Sequence, residues 1–355
     1  MLKQCRLHYN PFSHDHIRLS TRPTSGRCRT RFIPVPVHTI QHVQAFYDRS
    51  VPKTSKRRVV KASSGASAST PPTQPIIIDI PGSQQEAVLT AVQCLVPALQ
   101  PHLASLKTAK TSKGFSYASK GGNTANRFGV EIPVLDTSPQ AAVDLANLVL
   151  SATAARVQQR SGAAAAAAVA PANWTLVHAR EDAVQVARSS DGTQVLGLRQ
   201  ACRQTQLGGL LLVVEPSISD VALVEQLLDD VWVGPAAVVL NPQWSQQGAV
   251  LPAEYQRVAE SIAVVYSFLP CAIQGLLGPK EGAVLRMVES RAGAEGSPPW
   301  RILLKERDQF VQVGAMARRP TSSDLELAFI NAAAASSPLT KTAKFLRGLI
   351  PGKKT

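Results

Sequence analysis

The sequence predicts an α/β fold: a mostly parallel sheet with helices on both faces, plus an antiparallel strand extension at the C-terminal side. Three observations support this prediction. Apolar runs of strand length alternate with segments of helical period as far as residue 240, which is the pattern of βαβ units. One such run, 210–214, contains only Leu and Val, as expected for a strand buried on both faces. From residue 282 onward, strand-like runs follow one another through turns, which indicates antiparallel pairing.

The predicted strands are short runs rich in β-branched residues that stop at Pro, Gly or a polar residue. In chain order they are residues 76–80, 129–135, 174–177, 210–214, 236–240, 262–268, 282–289, 301–305 and 310–316.

The predicted helices have apolar residues at helical spacing behind a capping residue. Their capping signals, in chain order, are Ser83 with Glu86, Ser138 before Pro139, Ser217, and Ser323 with Glu326. The first helix contains Pro97, which predicts a kink or an early end at that residue.

Most of the positive charge lies at the N-terminus. The chain has a formal net charge of +14, and residues 1–75 hold thirteen Lys and Arg against two acids. Segments rich in Arg, Ser and Thr with few acids are typical of organelle transit peptides, so residues 1–62 are predicted to be one. The alternative is a retained basic arm that binds RNA. Residues 63–75 are predicted to be a flexible linker, residues 76–335 the α/β domain, and residues 336–355 a basic C-terminal helix.

Charge and motifs disfavour several classes of function for the rest of the chain. Residues 76–337 hold twenty Lys and Arg against twenty-two acids, which leaves no excess charge for a nucleic-acid backbone. We find no P-loop, no Gly-x-Gly-x-x-Gly after a strand and no Gly-x-Ser-x-Gly motif. The Cys and His residues beyond the leader are single and widely spaced, unlike metal sites. We therefore expect no cofactor, no metal, no nucleic-acid partner and no transmembrane segment.

Several predicted strands end at a polar residue close to a proline. Glu131, Glu215 and Asn241 do so, Trp244 follows one of these ends, and Arg319 follows a later strand. The carboxyl ends of parallel strands meet at one edge of the sheet, where α/β proteins bind ligands. These five residues are therefore a candidate ligand site. The alternative is that they are solvated strand ends whose carboxylates bind backbone amides.

The C-terminal segment predicts a short basic amphipathic helix. Lys341, Lys344 and Arg347 lie on one side of a helix drawn over these residues, and apolar residues lie on the other. Such helices bind anionic membrane surfaces, so these three residues are candidates for peripheral membrane contact. The alternative is that the apolar side packs on the protein itself.

The order of several short motifs resembles a known family. The motifs are Ile-Asp-Ile-Pro at 78–81, Val-Glu-Ile-Pro at 130–133, Val-Glu-Pro-Ser at 214–217, Val-Leu-Asn-Pro-Gln-Trp at 239–244, Tyr-Ser-Phe-Leu-Pro at 266–270, Gly-Ala-Val-Leu-Arg at 282–286, Pro-Trp-Arg-Ile at 299–302 and Arg-Pro-Thr at 319–321. Over roughly residues 76–350 the chain resembles a domain-of-unknown-function family of cyanobacteria and plastids. That family includes the low photosystem II accumulation protein three of plants and the C-terminal domain of a chloroplast adenylate kinase.

The resemblance implies a chloroplast protein of the stroma or the thylakoid surface, with thylakoid or photosystem assembly proteins as partners. It carries over no catalytic residue. Two hypotheses of function follow. The first is a non-catalytic auxiliary factor in photosystem II assembly or thylakoid biogenesis. The second is an enzyme or sensor that binds a phosphorylated or nucleotide ligand at the strand ends.

Overall fold

A computed structural model describes residues 76–109, 126–187, 193–246, 251–275, 278–288 and 300–336 of the chain. The described residues contain a ten-stranded sheet. Its strands are β1 (Ile77–Ile78), β2 (Arg127–Glu131), β3 (Trp174–His178), β4 (Gln194–Gly197), β5 (Leu210–Val214), β6 (Ala237–Leu240), β7 (Ala263–Gly275), β8 (Gly278–Met287), β9 (Trp300–Glu306) and β10 (Gln309–Met316). The α-helices are α1 (Gln84–Ala109), α2 (Pro139–Ser161), α3 (Ala163–Ala168), α4 (Glu181–Ala187), α5 (Leu198–Cys202), α6 (Val221–Gln226), α7 (Gln256–Glu260) and α8 (Ser322–Ser336).

Three of the sequence predictions concern other parts of the chain. The transit peptide, the linker, and the basic C-terminal segment with Lys341, Lys344 and Arg347 lie outside the described residues. Within the described part, no helix is both long and apolar enough to cross a membrane.

The strand order is β1-β10-β9-β8-β7-β2-β6-β5-β3-β4. Every neighbouring pair from β4 to β7 runs parallel, and every pair from β7 to β1 runs antiparallel. Strand β7 therefore joins the two halves, because it pairs parallel with β2 and antiparallel with β8. This topology confirms the predicted fold class.

Helices cover both faces of the sheet. In β5, Leu210, Leu212 and Val214 pack in the cluster that contains α1 and α2, whereas Leu211 and Val213 pack in the cluster that contains α5, α6 and α7. This alternation is what a strand buried on both faces requires. Helix α8 packs on the antiparallel half in a further cluster. One face of the sheet thus carries two separate apolar clusters, and the candidate site lies along the same face.

Helix α1 begins as predicted but ends later. The Glu86 N–H donates to Ser83 Oγ (3.2 Å), as in a capping box. The Glu86 carboxylate accepts from the Gly82 N–H (2.7 Å) and not from that of Ser83, so this second bond is displaced by one residue. The helix continues through Pro97 to Ala109, so an early end at Pro97 is wrong. Burial on both sides of this proline, at Val96 and Leu99, holds the helix where a free peptide would break.

The cap of α8 differs from the predicted one. Asp324 Oδ2 accepts from the N–H (2.8 Å) and the hydroxyl (2.7 Å) of Thr321, so the capping pair is Thr321 with Asp324 and not Ser323 with Glu326. Arg318 also pairs with Asp324. These contacts lower the pKa of Asp324 to about 2, with the bonds from Thr321 as the main cause. The sequence contains two overlapping capping signals, Thr321 with Asp324 and Ser323 with Glu326. Arg318, which precedes the helix, favours the first of them.

The edges of the sheet were the least predictable part. Strand β4 and helices α4 and α5 were not expected, since each has at most seven residues and a short element carries little periodicity. The predicted strand 76–80 is reduced to the two residues of β1. It lies at the edge, and Pro81 follows it, so few of its backbone groups can pair.

Candidate functional site at the carboxyl edge of the sheet

A row of polar side chains crosses the middle of the sheet where its two halves meet. Glu131 is the last residue of β2, Ser267 lies opposite it on β7, and Arg286 lies opposite Ser267 on β8. Residues that face each other across a ladder share one face of the sheet. The three side chains therefore lie side by side, between the apolar clusters under α5–α7 and under α8.

Glu131 forms a buried ion pair with Arg319, which follows β10. The side chain of Glu131 is 2% exposed and that of Arg319 31% exposed. Glu131 Oε1 accepts from Arg319 Nη2, and Glu131 Oε2 accepts from Ser267 Oγ at 2.6 Å. Both carboxylate oxygens are thus engaged, as a buried charge requires.

Arg319 also binds the turn after β6. Its Nη1 donates to the carbonyl oxygen of Ser245 at 2.9 Å. One guanidinium therefore connects the end of β2 with the segments that follow β6 and β10. Glu131 and Arg319, both placed in the candidate ligand site from the sequence, are therefore in direct contact.

Two guanidinium groups lie over one tryptophan ring. The Cζ atom of Arg319 is 4.4 Å from the centroid of Trp300, and that of Arg286 is 5.0 Å away. Trp300 itself is only 3% exposed. The pKa of Arg286 is lowered by burial first and by the charge of Arg319 second, while Glu131 acts in the opposite direction.

Asn241 lies next to this group and organises the strand end. Its backbone is left-handed, with φ 52°, a conformation that Asn tolerates better than most residues. Its N–H donates to Val130 O (2.9 Å), and its Oδ1 accepts from the N–H of Ile132 (2.7 Å). Its buried Nδ2 has no hydrogen-bond partner among the described residues.

Glu215 lies apart from the row formed by Glu131, Ser267 and Arg286, which we call the Glu131 row, and has a different electrostatic partner. Its backbone is also left-handed, with φ 50°. Burial raises the pKa of Glu215, and the positive charge of Arg180 opposes this rise. Arg180 in turn donates to Thr137 O (2.6 Å) and pairs with Asp182. Glu215 therefore belongs with the loop residues before α2 and α4.

Trp244 packs, half-buried, against the apolar cluster under α5–α7. Of the five residues predicted from the strand ends, the structure brings Glu131 and Arg319 into contact and places Asn241 beside them. Glu215 has its electrostatic partner in Arg180, and Trp244 contributes to apolar packing. The five do not share one set of contacts.

Other groups of possible chemical interest lie elsewhere. His178 ends β3 and is 1% exposed, its Nε2 has no hydrogen-bond partner among the described residues, and burial lowers its pKa to about 4. A depression of about 370 Å³ is lined by Arg199, Cys202, Arg203, Leu223 and Gln226, none of which belongs to the Glu131 row. The described part of the chain holds no cluster of three or more His, Cys, Asp or Glu side chains that could bind a metal ion.

A family model described as a domain of unknown function (DUF1995) matches residues 81–327. The chain belongs to this family. No curated protein and no solved structure matches the chain. The matched region of the DUF1995 domain includes every residue of the Glu131 row, together with Trp300 and Arg319.

Three members of this polar group were not identified as site residues from the sequence: Ser267, Arg286 and Trp300. Ser267 and Arg286 each carry a signal that could have found them. Ser267 lies between Tyr266 and Phe268, and Arg286 follows three apolar residues, so each is a polar residue within an apolar strand. Such a residue must have a polar partner on the face it points to.

Proposed function

We propose that this protein is a non-catalytic auxiliary factor of the chloroplast, in the stroma or at the thylakoid surface, with a role in photosystem II assembly or thylakoid biogenesis. The order of motifs resembling the plastid family and the basic leader of residues 1–62 support the location. The non-catalytic part of the proposal rests on one observation: the Glu131 side chain is buried, and both of its carboxylate oxygens are bonded within the protein.

Glu131 occupies the position where an α/β enzyme commonly holds a reactive group. A general base must lie within hydrogen-bond reach of the proton that it takes from a substrate. In this protein, Arg319 and Ser267 bind the two oxygens of Glu131, and the side chain is buried. This carboxylate is built to hold strands and loops together, which supports a structural use of the site.

The proposal is tested by complementation of a strain that lacks the protein. We expect reduced accumulation of photosystem II subunits, measured by immunoblotting of isolated thylakoids, and recovery with the full chain. Normal accumulation in the strain without the protein would contradict the proposed role. Fractionation of the same cells tests the location, and recovery of the protein outside plastids would exclude it.

The same experiment separates this proposal from an enzyme that uses Glu131. Glu131→Gln keeps the shape of the side chain and removes its charge. A non-catalytic factor should remain functional with this substitution, provided that the variant accumulates to the level of the wild type. Loss of function at a normal level of variant protein would favour a catalytic role for Glu131.

A second candidate function is that of an enzyme or sensor for a phosphorylated or nucleotide ligand. One observation favours it: Arg286 and Arg319 lie over a single indole ring beside one carboxylate. Guanidinium groups held close together match the oxygens of a phosphate group. Purification of the native protein with a retained small molecule would favour this candidate.

A further inference from the structure

We propose that the depression between α5 and α6 binds a phosphate monoester that carries an apolar group. This depression has a volume of about 370 Å³, and its lining residues are Arg199, Cys202, Arg203, Leu223 and Gln226. It lies on the face of the sheet that α5–α7 cover. The proposal concerns binding by the purified protein, so it stands or fails independently of any role in photosystem assembly.

The first argument is the positive charge of the lining. Arg199 lies in α5, and Arg203 follows directly after this helix. Both side chains are exposed, and neither guanidinium forms an ion pair or a hydrogen bond with a residue that the structure describes. Residues four positions apart in helical backbone are neighbours, and like charges there repel each other. An anion bound between the two guanidinium groups would offset this repulsion.

The second argument is the match between two cations and a phosphate monoester. Guanidinium groups bind carboxylate and phosphate oxygens through parallel hydrogen bonds. A single carboxylate carries one negative charge, whereas a phosphate monoester carries about two near neutral pH and has three acceptor oxygens. The charge of Arg199 and Arg203 together is therefore balanced by a phosphate monoester and only half balanced by a carboxylate.

The third argument is the uncharged part of the depression. Leu223 packs, half-buried, against the cluster under α5–α7. Cys202 Sγ donates to the carbonyl oxygen of Leu223 at 3.3 Å, and burial raises the pKa of the Cys202 thiol, so this group is neutral. Leu223 and Cys202 thus offer an apolar surface beside the two cations. The ligand that fits both features has a phosphate group at one end and an apolar group at the other.

The size and composition of the depression limit the ligand further. Sites for small molecules have volumes of roughly 300–1,000 Å³, and about 370 Å³ is at the lower end of this range. None of the five lining residues is aromatic, so a nucleobase would have no ring to stack on. The depression therefore fits a small aliphatic phosphate better than a nucleotide.

The test uses the full chain and hexyl phosphate as the probe, with binding measured by calorimetry at constant ionic strength. We expect Arg199→Gln and Arg203→Gln each to weaken the binding of hexyl phosphate roughly tenfold or more. The matched control is Arg160→Gln, because Arg160 is also an exposed arginine at a helix end. It belongs to α2, on the opposite face of the sheet, and its loss should leave binding close to that of the wild type.

A second comparison tests the apolar part of the site. Hexyl phosphate should bind roughly tenfold or more tightly than inorganic phosphate, since its alkyl chain is removed from water against Leu223. Leu223→Ala should reduce this difference by weakening only the binding of hexyl phosphate. Circular dichroism confirms that the variant is folded.

Two kinds of vesicle distinguish a soluble ligand from a lipid headgroup. The headgroup phosphate is a monoester in phosphatidic acid and a diester in phosphatidylglycerol. A preference for phosphatidic acid vesicles that is lost in Arg199→Gln supports a lipid, whereas binding of hexyl phosphate without such a preference supports a soluble molecule. The proposal is overturned if hexyl phosphate does not bind, if it binds no more tightly than inorganic phosphate, or if Arg199→Gln and Arg160→Gln weaken its binding equally.

Discussion

Breaking the Glu131–Arg319 pair should destabilise the domain far more than breaking a neighbouring surface pair. Arg319→Met keeps much of the aliphatic stem and leaves the carboxylate of Glu131, 2% exposed, without its cation. Removal of one partner of a fully buried pair costs about 3–5 kcal/mol. Because Arg319 is 31% exposed, water can partly replace it, so we expect about 2–3 kcal/mol from this source.

Two further contacts of Arg319 add to this value. The hydrogen bond to Ser245 O contributes about 1 kcal/mol, and the contact with Trp300 about 0.5–1 kcal/mol. We therefore expect Arg319→Met to lower the free energy of unfolding by about 3.5–5 kcal/mol, measured by urea denaturation. The control is Arg318→Met, whose side chain is 61% exposed and pairs with Asp324. It should cost about 1 kcal/mol or less.

A double-mutant cycle isolates the ion pair from these other effects. In Glu131→Gln the carboxylate is absent, so loss of Arg319 no longer leaves a buried charge. Adding Arg319→Met to Glu131→Gln should then cost at least about 1 kcal/mol less than Arg319→Met in the wild type. If the two substitutions are additive, or if Arg319→Met costs no more than Arg318→Met, the pair does not hold the strand ends together.

Three other predictions concern different parts of the chain. Gly282→Ala should cost about 1–3 kcal/mol in urea denaturation, because its added methyl group would overlap the carbonyl oxygen of Leu303 in β9 and the ring of Phe329 in α8; Gly208→Ala, which meets open space, should cost much less. His178 is held neutral in the folded state, with its pKa lowered to about 4 from 6.5. Its contribution to stability is therefore present above pH 6.5 and lost as the pH falls toward 4, and His178→Gln should remove about 3 kcal/mol of this pH dependence. Deletion of residues 338–355 should abolish flotation of the protein with anionic liposomes at low salt.

Each of these three has an outcome that contradicts it. Equal losses of stability in the two glycine variants would show that Leu303 and Phe329 do not pack closely against Gly282. Parallel stability curves between pH 4 and 6.5 for the wild type and the His178 variant would mean that His178 is not buried as a neutral group. Liposome binding that is unchanged by the deletion, or absent in the full chain, would exclude the C-terminal membrane helix.

Local signals determined how well each strand could be predicted. The run 210–214 was predicted with the bounds of β5, since five consecutive apolar residues define a strand buried on both faces without any long-range information. The capping residue Ser138 was predicted equally well, because its hydroxyl accepts from the N–H of Ala141, only three residues away. Where two local signals overlapped, as at Thr321 and Ser323, the sequence pattern did not distinguish between them, and the contact of Arg318 with Asp324 is consistent with the earlier one.

The candidate site could be predicted only in part, because its contacts are distant in sequence. Glu131 and Arg319 were identified from their positions at strand ends, although they are separated by 188 residues. Ser267 and Arg286 were not identified, since their place in the row depends on the registers of β2 with β7 and of β7 with β8. A shift of one residue in either ladder would turn these side chains to the other face, and sequence patterns do not determine register across such separations.

Each end of β2 holds a buried charge in a pair with a residue from a distant segment. At the amino end, Arg127 pairs with Asp229 (2.6 Å), and the nearby Arg257 pairs with Glu225 (2.6 Å), so cations and acids are matched in number. At the carboxyl end, Glu131 pairs with Arg319, which also donates to Ser245 O. Because removing one partner of a buried pair leaves an uncompensated charge, each pair fixes its end of β2 to the distant segment that carries the partner.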